Sequence, residues 1–108
     1  MGDYRSMHLP RSVIYVLRAE CTDYERRRVA IRSIDTPEDV ADAHRRRNEA
    51  IDAALCSIEL PLRSAILCDI IFARGYDKSS AAMICSKSLY YSRKHTVMET
   101  LAKNLLLI

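Results

Sequence analysis

Chain-breaking residues are scarce in this sequence, and that scarcity most limits the folds open to it. Only two Gly and three Pro occur among 108 residues, whereas closely spaced β-turns need such residues at each reversal. Ala, Leu and Arg are frequent, and these residues favour helices. We therefore predict an all-α fold. A chain of this length holds one compact domain, or a helical arm joined to a minimal one.

The first half of the chain predicts two long helices. Ser12 can cap a helix that runs to about residue 33, because apolar residues recur there at spacings of three, four and seven. A break follows, in which Thr36 can cap a second helix and Pro37 suits its first position. Two long helices joined by a short turn predict an antiparallel hairpin over residues 12–59, preceded by a flexible N-terminus at residues 1–11.

The second half, residues 60–108, predicts a three-helix unit. A strongly apolar helix follows Pro61 and should lie in the core, and Gly75 can take the left-handed conformation that ends it. A short helix over residues 79–84 comes next, with Ala81 and Ala82 at a close helix contact and Met83 facing the core. The last helix should run to about Leu105. This succession is typical of a helix-turn-helix unit, in which the third helix enters the major groove of DNA.

The last helix divides into two zones. Its C-terminal zone is apolar and should pack, whereas its N-terminal zone, from Lys87 to Lys94, is polar and aromatic. Residues 61–108 carry a net charge of +4 and residues 1–60 a net charge of −1, so the positive charge is on the half that holds this zone. We predict contacts with bases or the adjoining backbone from Lys87, Ser88, Tyr91 and Ser92. We predict contacts with phosphates from Lys78, Arg93 and Lys94, which His95 could join.

Neighbouring Tyr90 is expected to be an ordinary core aromatic. For Tyr91 the sequence leaves a core position and a DNA contact equally open.

Two arginine triplets, Arg26–Arg28 and Arg45–Arg47, would come close together in the predicted hairpin. We expect the acidic residues among them to neutralise a solvated face through weak pairs. The alternative is a basic band that contacts DNA phosphates or an acidic partner.

The run from Ser86 to Lys94, followed by Val97-Met98 and Leu101-Ala102, resembles the C-terminal signature of ArpU-type phage transcriptional regulators. That signature has a serine, two adjacent tyrosines four and five positions on, a lysine at position eight and an apolar-alanine pair. Ile84 and Arg93 depart from it, since Gly and an aliphatic residue are usual there. These regulators in turn resemble the promoter-reading C-terminal domain of sigma factors.

The resemblance implies a phage or prophage regulator whose reading helix starts near Ser86. A register with Ser88 as the cap and Ala82 as the close-packed alanine fits a generic helix-turn-helix and stays open.

The expected function is sequence-specific binding of double-stranded DNA in transcription regulation, with RNA polymerase as a further candidate partner. The alternative is a helical protein-interaction module that docks on RNA polymerase or another regulator without reading DNA. The apolar tail Leu105–Ile108 or the hairpin could form a homodimer interface.

We expect no catalysis and no cofactor. The three histidines lie in separate elements, and no phosphate-cradling Gly loop is present. The four cysteines lack metal-ligand spacing, and most of them should sit on apolar helix faces as small hydrophobes in a reducing cytoplasm. No apolar run is long enough to span a bilayer, so we expect a soluble protein with no membrane partner.

Overall fold

A computed structural model describes residues 9–108, which form α-helices, one short 3-10 helix and no strand. The α-helices are α1 (Arg11–Thr22), α2 (Tyr24–Arg32), α3 (Glu38–Leu55), α4 (Leu60–Phe72) and α5 (Lys87–Asn104), and the 3-10 helix is Ser80–Met83. The predicted all-α fold is confirmed for these residues. The prediction of a flexible N-terminus falls mostly on residues 1–8, which lie outside the described residues.

The predicted first helix is divided at Asp23 into α1 and α2. Thr22 Oγ1 donates a hydrogen bond to the Arg18 carbonyl oxygen at 2.7 Å, a type of back-bond that bends helices. The Asp23 amide still donates to the Ala19 carbonyl and Asp23 keeps a right-handed backbone, so the interruption is a one-residue turn, which we call the bend at Asp23. The expectation of one uninterrupted helix to residue 33 was wrong, because the spacing of apolar residues does not reveal such a bend.

Three predicted helix boundaries differ in detail. Ser12 was expected to cap the first helix, but it lies inside α1, which begins at Arg11 after Pro10. Pro37 occupies the cap position of α3 and Thr36 makes no cap bond, so the helix starts one residue later than predicted.

At the end of α4, Ala73 takes the left-handed conformation with φ of 55°. Gly75 also has a positive φ, of 78°, but it lies in the loop that follows. The Asp69 carbonyl accepts the Ala73 amide at 2.7 Å, which completes the helix end before Gly75 is reached.

The start of α5 agrees with the sequence. Ser86 Oγ accepts a hydrogen bond from the Leu89 amide at 3.1 Å and caps the helix. Ala81 of the 3-10 helix is fully buried, whereas Ala82 is half-buried. The Ser86 register is therefore the one adopted, and the register with Ser88 as cap is wrong.

The core surrounds the C-terminal part of α5. This helix packs against α1, α3 and α4, while α2 packs mainly against α3. The buried side chains of α5 include the predicted Val97, Met98 and Leu101. In the first turns of α5 one face stays at the surface, and it carries the exposed Lys87, Ser88 and Ser92.

The expectation that Met83 faces the core was wrong. Its side chain is 92% exposed, and that of Ile84 is 56% exposed. The 3-10 helix is only one turn long, so it buries Ala81 and directs Met83 away from the core.

Candidate nucleic-acid interface

The first turns of α5 present a small polar surface. Lys87, Ser88 and Ser92 are exposed, and Ser88 and Ser92 share a face because they are four residues apart. No acidic residue lies in the first turn of the helix. A helix N-terminus carries partial positive charge, so this surface suits an anionic ligand or the acceptor-rich edges of bases.

Lys78 lies in the loop between α4 and the 3-10 helix, two residues before Ser80. Its side chain is exposed and has no hydrogen bond or ion pair within residues 9–108. Lys78 is therefore available to an anionic ligand at the surface of this loop.

The two adjacent tyrosines of α5 have separate structural roles. Tyr90 is fully buried, as predicted, and its hydroxyl donates to Asp69 Oδ2 at 2.6 Å. Burial, and then this bond, raises the pKa of the Tyr90 hydroxyl above its usual value. Tyr91 is half-buried, and its hydroxyl accepts a hydrogen bond from the Tyr76 amide at 3.2 Å. Tyr91 thus joins α5 to the preceding loop, and only the exposed part of its ring remains for a DNA contact.

Lys94 is placed differently from its prediction as a phosphate contact. Its side chain is 1% exposed, and its Nζ lies 3.2 Å from Asp69 Oδ2. Lys94 lies four residues after Tyr90 and three before Val97, so it belongs to the buried face of α5. A side chain buried this way cannot reach a phosphate, and we correct its assignment.

Sequence reasoning missed this placement because lysine is almost never fully buried unless it is paired. The available signals were the spacing of Tyr90, Lys94 and Val97 and the single acidic residue, Asp69, in the apolar helix α4.

Arg93 is also less available than predicted. Its guanidinium pairs with the Glu59 carboxylate through Nε to Oε1 at 2.8 Å and Nη2 to Oε2 at 3.1 Å. The hydrogen bonds from Arg93 lower the pKa of Glu59. The pair ties α5 to the residue that precedes α4, so Arg93 contributes to the fold and is no longer assigned as a phosphate contact.

Asp69 joins the loop to the helices, a role that was not predicted from the sequence. Its Oδ1 accepts the Gly75 amide at 2.9 Å, while its Oδ2 faces Tyr90 and Lys94. Tyr76 adds a second link, because its hydroxyl donates to the Cys85 carbonyl at 2.6 Å. These bonds hold residues 73–79 and the turn before α5 in one arrangement.

The arginine triplets are largely neutralised, as the favoured interpretation expected. Arg27 is buried and donates to Asn48 Oδ1 at 2.8 Å, where it holds α2 against α3. Four other arginines of the triplets form ion pairs: Arg26 with Asp23, Arg28 with Glu25, Arg45 with Asp42 and Glu38, and Arg47 with Glu20. A bare basic band is not formed by these side chains.

The cysteines have free thiols. Cys21 is a core residue, as expected, and burial raises the pKa of its thiol to about 12. Cys56 is exposed, and Cys68 and Cys85 are half-buried. Within the part of the chain that the structure describes, no group of His, Cys, Asp and Glu side chains is arranged to hold a metal ion.

None of the helices in residues 9–108 combines the length and the apolar character needed to cross a membrane. Comparisons of the chain with protein-family models, with curated proteins and with solved structures found no match.

Proposed function

We propose that the chain is a sequence-specific DNA-binding transcriptional regulator, with the first turns of α5 as the part that enters the major groove. The observation that carries this proposal is the exposure of Lys87, Ser88 and Ser92 at a helix start that has no acidic residue in its first turn. A reading helix needs such a polar front together with a packed far end. The buried Val97 and Leu101 supply that packed end.

The proposed arrangement is a helical hairpin followed by a helix-turn-helix unit. The packing of α2 against α3 supports the hairpin, although the bend at Asp23 shortens its first arm. The helix-turn-helix unit would comprise α4, the 3-10 helix and α5, with Ala81 at the close contact. The likeness to ArpU-type phage regulators and to the sigma factor C-terminal domain remains part of this proposal.

The proposed contact set is smaller than the sequence predicted. Lys87, Ser88 and Ser92 would contact base edges or the adjoining backbone, with Tyr91 at the margin. Lys78 would contact a phosphate, which supplies affinity but no sequence information.

The test begins with a selection of duplexes from a random-sequence pool by the purified protein. The affinity for the selected duplex is then measured by fluorescence anisotropy for the parent, for Lys87→Ala/Ser88→Ala and for Lys103→Ala. Lys103 is an exposed lysine at the opposite end of α5 and serves as the matched control. Loss of a base contact costs about 1–3 kcal/mol, so the double variant should bind roughly tenfold weaker or worse. Equal affinities for all three proteins would contradict the proposal.

A second candidate function is a protein-interaction module that docks on RNA polymerase or another regulator. The exposed apolar pair Met83 and Ile84 favours it, because exposed apolar side chains beside each other are common at protein interfaces. This function predicts weak DNA association that barely changes with salt. A steep loss of affinity between about 50 and 200 mM salt would instead favour DNA binding.

A homodimer remains a proposal. In the apolar tail, Leu105 and Leu107 pack against the core, whereas Leu106 and Ile108 are exposed. The two exposed side chains could meet a second copy. A monomer mass by light scattering at micromolar concentration would dismiss this interface.

A further inference from the structure

A cleft with a volume of about 160 Å³ lies between α4 and the segment that leads into the 3-10 helix. It is separate from the exposed polar residues at the start of α5, Lys87, Ser88 and Ser92, because no residue of α5 lines it. We call it the serine-cation cleft, after the five polar side chains Ser64, Arg74, Lys78, Ser79 and Ser80 that line it together with Ala65, Cys68 and Asp69.

The charge of the cleft is positive. Arg74 and Lys78 are exposed at its walls, and neither forms an ion pair within residues 9–108. Asp69 is the one acidic residue in the lining, but it is buried and paired with Lys94. Its oxygens also accept hydrogen bonds from Gly75 and Tyr90. The carboxylate is therefore satisfied from the protein side, and the two surface cations set the charge that a ligand meets.

Hydroxyl donors complete the lining. Ser64 and Ser80 are exposed and make no side-chain hydrogen bond within the described residues. Ser79 Oγ donates to the Tyr76 carbonyl at 2.8 Å, which fixes its position. The Arg74 guanidinium lies over the Phe72 ring at 5.0 Å from the ring centre, so part of its rotational freedom is already lost. Two cations and two uncommitted hydroxyls around one small cleft suit a tetrahedral oxyanion, whose several oxygens each accept hydrogen bonds.

We propose that the serine-cation cleft binds a single phosphate group, and that the phosphate is a backbone diester of the DNA that α5 reads. The identity of that source rests on the proposed function, but the binding of phosphate by the cleft does not. Lys78, Arg74 and the serines would then form one phosphate-binding site. A phosphate held there would fix the position of the protein along the duplex while α5 reads the bases.

The first arm of the test uses inorganic phosphate and needs no DNA. Phosphate is titrated into ¹⁵N-labelled protein at constant ionic strength, with chloride as the replaced anion. We expect saturable shifts of the amide signals of Lys78, Ser79 and Ser80, and their loss in Arg74→Ala. Shifts that do not saturate, or that are as large at exposed Arg32 on α2 as in the cleft, mean an adventitious ion only and would overturn the proposal.

The second arm uses the selected duplex in a salt series. Each phosphate contact contributes about −0.9 to the slope of log affinity against log salt. Arg74→Ala should therefore flatten the slope by about 0.9 and weaken binding about tenfold at low salt. Ser64→Ala should weaken binding less and keep the slope, because it removes a neutral donor. Arg32→Ala is the matched control and should resemble the parent, and thermal melting by circular dichroism checks that all variants are folded.

The two arms separate the two proposals. Saturable phosphate binding without any DNA binding would support the cleft and contradict the proposed function. If Arg74→Ala binds DNA with an unchanged salt slope and phosphate causes no saturable shift, the proposal that the cleft binds phosphate is wrong. The proposed function is then unaffected.

Discussion

At the scale of single residues, the ion pair of Lys94 and Asp69 is notable because both charges are buried. Lys94 and Asp69 are each 1% exposed and lie 3.2 Å apart, with the Tyr90 hydroxyl on the same carboxylate oxygen. Removing two charges from water is costly, and their attraction repays that cost only when further hydrogen bonds satisfy them. Tyr90 and the Gly75 amide supply those bonds. The trio therefore joins α5 to α4 through bonds in the core.

Lys94→Ala should destabilise the protein strongly, because it leaves the Asp69 charge buried without its partner. The expected loss in the free energy of unfolding is about 3–5 kcal/mol, measured by urea denaturation. Lys87→Ala, a lysine of the same helix that is exposed, should change that free energy by less than about 0.5 kcal/mol. Equal stability of the two variants would mean that Lys94 is not buried as described.

The cysteines offer an independent check on burial. Cys21 is 1% exposed and its thiol has a pKa of about 12, whereas Cys56 is exposed. The thiolate is the reactive form, so iodoacetamide at pH 8 should label Cys56 and leave Cys21 unlabelled until urea unfolds the chain. Peptide mass spectrometry over time reads out both sites. Labelling of Cys21 at the rate of Cys56 in the native protein would contradict the core described here.

At the scale of elements, the link between α4 and the 3-10 helix is fixed more firmly than its exposure suggests. Asp69 holds the Gly75 amide, and the Tyr91 hydroxyl holds the Tyr76 amide. Two residues of this link, Ala73 and Gly75, have positive φ angles. Glycine adopts that region without strain and alanine does not.

Ala73→Gly and Gly75→Ala should therefore change the free energy of unfolding in opposite directions. Ala73→Gly should raise the free energy of unfolding by about 0.5 kcal/mol, since relief of the left-handed strain outweighs the added freedom of the unfolded chain. Gly75→Ala should lower it by about 1 kcal/mol or more, because alanine is strained at the Gly75 φ of 78°. Thermal melts of both variants provide the measurement. Changes of the same sign would show that the link has another conformation.

The Arg93–Glu59 pair joins α5 to the start of α4 and gives the protein an acid-sensitive contact. The pKa of Glu59 is lowered in the folded protein, so the pair stabilises the fold above the ordinary glutamate pKa. That contribution is lost as the pH falls through the lowered value. In Arg93→Gln, the pKa of Glu59, measured by NMR titration, should rise toward its ordinary value. A Glu59 titration identical in parent and variant would contradict the pair.

The elements were predictable from sequence where one local pattern decided them. Scarce chain breakers predicted helices, and Ser86 predicted the start of α5, because a cap depends on a serine and the amide three residues on. The bend at Asp23 and the burial of Lys94 were not predictable in this way. The bend lies beside a back-bond from Thr22, which hydrophobic periodicity does not detect. The burial of Lys94 involves Asp69, twenty-five residues earlier in the chain.

At the scale of the whole molecule, the charged groups divide into those that hold the fold and those that remain for a ligand. Most arginines of the triplets are paired, and Arg93 and Lys94 tie helices together. Lys78, Lys87 and Arg74 remain exposed and without ion pairs in residues 9–108. All three lie in or beside the segment from residue 74 to the first turn of α5. Exposed Arg11, Arg32, Arg46 and Lys103 also lack ion pairs within residues 9–108, but they lie in other parts of the chain. The segment from residue 74 to the first turn of α5 is the part of the surface that we propose for a polyanion.

The central claim is that this part of the surface binds a DNA duplex, and amide shift mapping tests it most directly. The selected duplex is titrated into ¹⁵N-labelled protein at low salt, and shifts are compared along the chain. We expect the largest shifts at residues 78–80 and 86–92, with none at residues 24–32 or 97–104. Shifts centred on α2 and α3, or confined to Met83 and Ile84, would contradict a reading role for α5.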